Sequence, residues 1–147
     1  MTFQRDPNEI RWRLHLKSPP QVVHRLISTD EGRAKFWAES AVEGNGGIDF
    51  RFPNGQSWVG RILENTAPHR LAVEYYGGSV STFDLTDDGN GGTDLTLTDR
   101  GVKDEWRSEV VAGWISVLMA LKAAADFSVD LRNHDPKKTW DQGYVEN

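Results

Sequence analysis

The sequence predicts an α+β domain in which one antiparallel sheet packs against a long C-terminal helix. Three observations lead to this fold class. Apolar and polar residues alternate along several short segments, turn-forming residues separate those segments, and apolar residues recur every three or four positions near the C-terminus. The two-residue period is typical of half-buried strands, and the longer period is typical of an amphipathic helix. Since no helix-length insert separates successive strands, we expect them to pair antiparallel.

The length and composition are those of one ordinary domain. The chain has 147 residues, of which 37% are hydrophobic and 27% are charged, and its net charge is −5. We predict a single domain over residues 1–147, with a core at about 8–132 and a C-terminal tail at 133–147. The absence of cysteine excludes disulfides and thiol catalysis, and the negative charge argues against nucleic acid as a partner. The N-terminal residues contain no apolar signal segment, so we expect a cytoplasmic protein.

The first elements are a strand and two short helices. Residues 10–17, IRWRLHLK, alternate strictly between apolar and basic or polar side chains, which predicts a half-buried strand. Ser18 precedes two prolines and is expected to cap a first short helix, and Thr29 is expected to cap a second. The basic residues of this region, among them Arg33, are expected to form a solvated face.

The middle of the chain predicts a meander of strands. The turn-forming sequences GNGG, PNGQ, TAPHR, GG and DDGNGG separate short alternating runs. The five predicted strands are residues 48–52, 57–64, 71–76, 79–85 and 93–98. The loop DDGNGGTD places several acidic and amide side chains together, but its spacing does not match a calcium-binding EF-hand loop, so we predict a hairpin turn.

A long helix is predicted over residues 104–132. Its apolar stripe comprises Val110, Trp114, Val117, Leu118, Leu121 and Ala125. The most apolar stretch, residues 113–126, has only 14 residues and contains Lys122, whereas a bilayer span needs about 20 apolar residues. We therefore predict that this helix covers the sheet and that it does not insert into a membrane.

The order of these segments resembles a known fold family. The residues that carry the resemblance are LKSPPQVVHRLISTDEGRAKFW (16–37), GRILENTAPHRLAVEY (60–75), GGTDLTLTDRG (91–101) and GW (113–114) followed by Leu118 and Leu121. The sequence is similar to the helix-grip fold of the START-like (SRPBCC) superfamily, and within it to the family named after the activator of heat shock protein 90 ATPase. The resemblance implies a curved antiparallel sheet of six or seven strands around the C-terminal helix, with two short helices after the first strand.

The resemblance also implies a cavity between sheet and helix that holds a hydrophobic ligand in many superfamily members. The alternating positions of the predicted strands and the helix stripe supply an aromatic-rich lining. The candidate ligand-binding residues are Trp12, Leu14, Phe50, Phe52, Trp58, Tyr75, Phe83, Trp114, Val117, Leu118 and Leu121. The alternative for each of them is simple core packing.

Residues for catalysis or metal binding are less evident. The four histidines, His15, His24, His69 and His134, lie far apart and without ligand spacing, so we expect them at the surface and predict no metal site. No aspartate or glutamate is predicted to face inward, since Glu74 should alternate to the outside. No cofactor motif is present, and we expect no cofactor.

Three functions remain open at this point. The first is a non-enzymatic carrier or sensor that binds a hydrophobic or aromatic small molecule. The second is an enzyme of the polyketide cyclase or aromatase kind, for which Tyr75, His24 and Glu74 are the candidate acid or base groups. The third is a module that binds a chaperone or another protein partner. The chain is expected to be a monomer or a homodimer.

Overall fold

The computed structural model describes residues 6–147 and contains a single antiparallel sheet with helices against one face. The strands follow the order β1-β7-β6-β5-β4-β3-β2, and every neighbouring pair is antiparallel. The elements are β1 (Glu9–Leu16), α1 (Pro20–Ser28), α2 (Asp30–Arg33), β2 (Ser40–Gly44), β3 (Gly47–Arg51), β4 (Ser57–Thr66), β5 (Arg70–Glu74), β6 (Val80–Asp87), β7 (Thr93–Arg100) and α3 (Arg107–Phe127). This arrangement is the helix-grip α+β fold, and it confirms the predicted fold class.

Strand β2 is the element that the sequence pattern did not reveal. Residues 31–40 suggest a helical turn or two, but the chain leaves α2 at Arg33 and pairs as β2 with β3 from Ser40 onward. Asn45 and Gly46 connect the two strands with φ angles of 52° and 77°, which is the left-handed region that a tight hairpin turn requires. The sheet therefore has seven strands.

The core lies between the sheet and the three helices. Side chains from both layers are almost completely buried there, including Trp12, Phe50 and Phe83 from the strands and Leu118 and Leu121 from α3. The alternation of β7 shows why: Leu95 and Leu97 point inward, while Asp94 is exposed and Thr96 and Thr98 are half-buried. Burial of apolar surface on this inner face is the main stabilising contribution to the fold.

The ends of α1 and α3 differ from the predictions and are connected to each other. Ser18 does not cap α1, which begins at Pro20 after Pro19. Instead, the Ser18 hydroxyl donates to the carbonyl of Ala125 at 2.7 Å and also contacts Asp126. Helix α3 ends at Phe127, five residues before the predicted end, because Ser128 adopts a left-handed φ of 55° and terminates it. By contrast, Thr29 does cap α2 as predicted.

Two residues expected at the surface are buried. Arg33 is 1% exposed, and its guanidinium donates to the carbonyl oxygens of Ala41 and Ile27 and to Asp30. His24 is also buried, and one of its ring nitrogens contacts the Asn65 side chain at 2.8 Å. Both residues are polar, so their type alone favoured solvent. Buried polar groups need hydrogen-bond partners, and the structure supplies them from nearby residues for Arg33 and from Asn65, 41 residues away, for His24.

Helix α3 is a core helix. Within the described part of the chain, Asp104–Phe127 is the one segment whose length and apolarity would permit it to cross a membrane. One broad side of this segment nevertheless packs into the domain, because Trp114, Leu118 and Leu121 are buried against the sheet. A core helix of a folded domain can be as long and as apolar as a membrane-spanning helix, so composition does not distinguish the two. The packing of α3 against the sheet identifies it as a core helix.

Replacing Gly60 with alanine should lower the free energy of unfolding by about 1–3 kcal/mol. A Cβ atom at Gly60 would collide with the carbonyl oxygen of Glu74 on the neighbouring strand. A paired backbone carbonyl cannot relieve this clash by a change of rotamer, as a side chain could. The matched control is Gly44→Ala, because a Cβ atom at that strand glycine meets nothing within 4 Å. Urea denaturation of both variants measures the difference, and equal stabilities would contradict the close approach of the two strands.

Candidate functional site

An open cleft of about 950 Å³ lies at one end of the sheet, beside the N-terminal half of α3. Its walls come from four parts of the chain: the aromatic residues after α2 and around β3 to β5, Asp99 on β7, the exposed side of α3, and the C-terminal tail. The lining residues are Phe36, Trp37, Phe52, Asn54, Gln56, Trp58, Tyr75, Tyr76, Asp99, Trp106, Glu109, Val110, Ala112–Val117, Met119, Ala120, Leu131, Arg132, Trp140, Asp141 and Val145–Asn147.

The floor of the cleft is a continuous cluster of aromatic rings. The ring centroid of Tyr75 lies 5.7 Å from that of Trp37 and 4.9 Å from that of Trp114. The indole N–H of Trp37 donates to the Tyr75 hydroxyl oxygen at 3.0 Å, which fixes the orientation of both side chains. Phe52 and Trp58 stack with centroids 4.6 Å apart and extend the aromatic surface toward the edge of the sheet. Such rings provide a large, rigid contact area for a flat or apolar ligand.

The indole N–H of Trp58 is an unused hydrogen-bond donor. This atom is buried and has no acceptor among residues 6–147. Leaving a buried donor without a partner costs about 1–3 kcal/mol, so native structures rarely retain one without a reason. Because Trp58 itself lines the cleft, a ligand acceptor could supply the missing partner.

Asp99 places a carboxylate on the inner face of the sheet. Its side chain is 1% exposed, and it accepts hydrogen bonds of 3.2 Å from the Ser81 hydroxyl and of 3.2 Å from the Trp114 indole N–H. Burial raises the pKa of Asp99 to about 6, although hydrogen bonds from Ser79, Trp114 and Ser81 favour the charged form and limit the rise. This group can therefore change its charge near neutral pH.

The expectation that no acidic residue faces inward was wrong for Asp99. The signal was present in the sequence, because Asp99 continues the alternation of Leu95 and Leu97 along β7 and so shares their face. The partner strand gives the same register, since Ser81 lies opposite Asp99. Asp99 is thus a buried titratable group in a cleft, which makes it a candidate functional residue.

The structure divides the predicted ligand-binding residues into two groups. Those that line the cleft are Phe52, Trp58, Tyr75, Trp114 and Val117. Those that lie in the core or pack against it, away from the cleft, are Trp12, Leu14, Phe50, Phe83, Leu118 and Leu121. The second group supports the floor of the cleft from below, since Phe50 packs on Tyr75 with ring centroids 5.2 Å apart.

The predicted acid or base candidates are also separated. Tyr75 lines the cleft, where burial raises the pKa of its hydroxyl and keeps it protonated. Glu74 points away from the core, as the alternation predicted, and pairs with Arg61 at 3.0 Å. His24 lies on α1 and does not line the cleft. Of the three, only Tyr75 is in a position to touch a ligand there.

The C-terminal tail forms one wall of the cleft. Among the contacts that hold it in place, the Arg132 guanidinium donates to the carbonyl oxygens of Ala34 and Ala38, and the Trp140 indole N–H donates to the Glu109 carboxylate at 2.8 Å. The tail thus folds back onto the domain.

No group of three His, Asp or Glu side chains that could hold a metal ion is found within residues 6–147. The acidic loop between β6 and β7 is a hairpin turn, as predicted from its sequence. Within it, the Asp88 carboxylate accepts hydrogen bonds from the backbone N–H groups of Asn90 and Gly92.

Comparison with known proteins agrees with this architecture. The Aha1 dimer from Colwellia psychrerythraea, described as a solution structure, is 22% identical, with a TM-score of 0.71 over 81% of this chain and 96% of that one. A conserved protein of unknown function from Enterococcus faecalis is 20% identical, with a TM-score of 0.74 over 99% and 85%. An HSP90 activator from Plasmodium falciparum is 16% identical, with a TM-score of 0.61 over 76% and 91%. These structures share the fold.

The sequence itself identifies the family. No curated protein matches this chain. The model of the family described as "Activator of Hsp90 ATPase homolog 1-like protein" matches residues 17–126, from the end of β1 through almost all of α3. This match covers well over half of the chain and includes the whole sheet apart from β1. The chain therefore belongs to the Activator of Hsp90 ATPase homolog 1-like family, within the START-like (SRPBCC) superfamily.

Proposed function

We propose that the protein binds a hydrophobic or aromatic small molecule in the cleft and acts as a non-enzymatic carrier or sensor. The observation that carries this proposal is the open cleft of about 950 Å³ with a floor of packed aromatic rings. Ligand sites typically have volumes of about 300–1,000 Å³ and apolar walls with few polar groups. The volume and the aromatic side of the cleft match this description, and the Tyr75 hydroxyl, the Trp58 N–H and the Asp99 carboxylate are polar groups available to a ligand on that side.

A two-dimensional amide NMR titration tests the proposal directly. The purified protein is titrated with a panel of flavonoids, polyketides, fatty acids and sterols. We expect at least one compound to shift the signals of Phe52, Tyr75, Gly113 and Trp114, which surround the cleft, while the β6–β7 hairpin stays unchanged. A panel that shifts no cleft signals would contradict the proposal.

Replacing Gly113 with phenylalanine should block the cleft and weaken binding of such a ligand by about tenfold or more, which corresponds to about 1.4 kcal/mol. Gly113 lies on α3 and lines the cleft, and a Cβ atom there meets nothing within 4 Å, so a large side chain can occupy the ligand's space without disturbing the core. Gly113→Ala is the matched control: it should leave affinity nearly unchanged and stabilise the helix by up to about 1 kcal/mol. Equal affinities for the phenylalanine and alanine variants would place the ligand elsewhere.

An enzyme of the polyketide cyclase or aromatase kind is the second candidate, and Asp99 is the observation that favours it. With a pKa of about 6, its carboxyl group can exchange a proton near neutral pH, and it lies in the same cleft as Tyr75. If the protein is an enzyme, ligand NMR signals should be replaced over time by product signals, and Asp99→Asn should stop this change. A ligand that binds and stays intact supports the carrier.

A protein-interaction module is the third candidate, and it is favoured by exposed apolar residues in the walls of the cleft. Ile115 and Met119 on α3 are 43% and 50% exposed, and Leu131 and Val145 of the tail are also exposed. The Colwellia relative is described as a dimer, so a second copy is one possible partner for this surface. Light scattering after size exclusion should show a dimer that Met119→Glu converts to a monomer, whereas a monomeric wild-type protein would argue against self-association.

A further inference from the structure

The charged residues of the cleft are predominantly acidic. Among residues 6–147, four carboxylate side chains line it, Asp99, Glu109, Asp141 and Glu146, whereas Arg132 is the one cationic side chain in its wall. The positive charge of Arg132 is already neutralised, because its guanidinium makes two hydrogen bonds of 3.0 Å to Asp130 and uses its other donors on backbone carbonyls. A cleft with low-dielectric walls and charges of one sign concentrates ligands of the opposite sign.

Asp99 strengthens this preference for a cationic ligand, because it is the most buried of these carboxylates. Asp99 is only 1% exposed, and a neutral ligand that filled the cleft would provide no counter-ion for its carboxylate. Burying an unpaired charge is costly, and the hydrogen bonds from Ser81 and Trp114 supply only part of the required compensation. An anionic ligand would add electrostatic repulsion to this cost. A cationic group on the ligand would instead pair with the carboxylate.

The aromatic walls are also suited to a cation. Ring faces attract ammonium groups, most strongly where water is excluded. The protein already makes one such contact at the rim of the cleft, where the ammonium of Lys103 lies 4.5 Å from the ring centroid of Trp106. Trp106 in turn packs on Tyr76, so the aromatic surface continues from this rim contact into the cleft.

We infer that the ligand of this cleft is an amphiphilic cation, an apolar or aromatic body that carries one ammonium group, with the body on the rings of Trp37, Tyr75 and Trp58 and the ammonium beside Asp99. This inference rests on the proposed function, since it specifies the chemical class of the molecule that the cleft binds. It separates this protein from a carrier of fatty acids, whose carboxylate would meet the acidic wall.

Three probes with the same ring body and different head groups test the inference. They are naphthylmethyl trimethylammonium, naphthylmethanol and naphthylacetate, which are cationic, neutral and anionic. Affinities are measured with the full chain at about pH 8, where Asp99 is ionised, by NMR titration and by the fluorescence of the cleft tryptophans. We expect the cation to bind about tenfold or more tightly than the alcohol and the acetate to bind most weakly.

Asp99→Asn should remove the preference for the cation: the affinity for the cation should fall and the affinity for the alcohol should rise, because no unpaired charge is then buried beneath the neutral probe. Asparagine has the same shape and keeps an oxygen that can accept the Trp114 N–H, so the cleft should keep its form. The matched control is Asp84→Asn on β6, which removes an exposed carboxylate that pairs with Arg70 and does not line the cleft. This variant should keep the full preference for the cation.

The outcomes distinguish the inference from the proposed function. If the alcohol binds as tightly as the cation in the wild-type protein, the inference is wrong and the apolar carrier stands. If the preference survives Asp99→Asn, the carboxylate does not recognise the ammonium and the inference is equally wrong. If no probe binds and the wider panel of apolar compounds also fails, the proposed function falls together with the inference.

Discussion

Replacing Trp114 with alanine should lower the free energy of unfolding by about 3–5 kcal/mol, the range found for large aromatic truncations in protein cores. Trp114 is 4% exposed, and its ring lies 4.9 Å from that of Tyr75 and 5.7 Å from that of Phe83. The variant would lose these contacts and would also remove the N–H that donates to buried Asp99. Because Trp114 lines the open cleft, water can enter part of the space, so we expect the lower half of the range.

Urea denaturation at constant pH measures this loss. Trp140→Ala is the matched control, since Trp140 is half-buried in the tail and its N–H bonds to Glu109 on the surface of α3. It should cost about 1 kcal/mol, the net contribution of one hydrogen bond with modest packing. A loss of less than about 1 kcal/mol for Trp114→Ala would mean that the indole is not buried and that the register of α3 on the sheet is wrong.

The fold could be predicted because its main elements are periodic. Alternation along β1 and β7 identified the buried face of each strand, and the apolar stripe of α3 identified the helix that covers them. Strand β2 has no such period: it is a five-residue edge strand whose Ala41 is its only buried member, and pairing with β3 creates it. The burial of Arg33 was not predicted for a related reason, since its hydrogen-bond acceptors include the carbonyl of Ala41 on that strand.

The site was harder to predict. Periodicity shows which side chains face the core, but it does not show where along a strand the packed core ends and the cleft begins. Phe52 and Phe83 both belong to the inner face, yet Phe83 lies under the helices and Phe52 stands at the mouth of the cleft. The tail that forms one wall of the cleft shows no regular spacing of apolar residues in its sequence. Its position depends on the contacts of Arg132 with Ala34 and Ala38, almost a hundred residues earlier in the chain.

Asp99 should make the domain less stable as the pH rises from about 4 to about 6. Its pKa in the folded protein is about 6, mainly because burial disfavours the charge, compared with a reference value of 3.8. The folded state therefore binds the proton more tightly than the unfolded state between these pH values, and linkage requires the free energy of unfolding to fall as the proton leaves. A shift of about two units corresponds to about 3 kcal/mol.

Asp99→Asn isolates this contribution, because asparagine does not titrate. Wild-type protein and variant are unfolded with urea at about pH 4 and about pH 8, and the difference between their free energies is compared at the two pH values. The other charged groups of the cleft, Glu109, Asp141, Glu146 and Arg132, are present in both proteins, so the comparison isolates Asp99. We expect the variant to gain about 3 kcal/mol relative to the wild-type protein at the higher pH.

Asp130 gives a control of opposite sign. Burial alone would raise the pKa of Asp130, but hydrogen bonds from Arg132 and His134 outweigh it and lower the pKa to about 2. Asp130→Asn should therefore lose stability relative to the wild-type protein near neutral pH, and this loss should shrink as the pH falls toward 2. If Asp99→Asn showed no relative gain at high pH while Asp130→Asn behaved as expected, the Asp99 carboxylate would have to be hydrated. The cleft would then be wet at its floor and would favour a polar ligand over an apolar one.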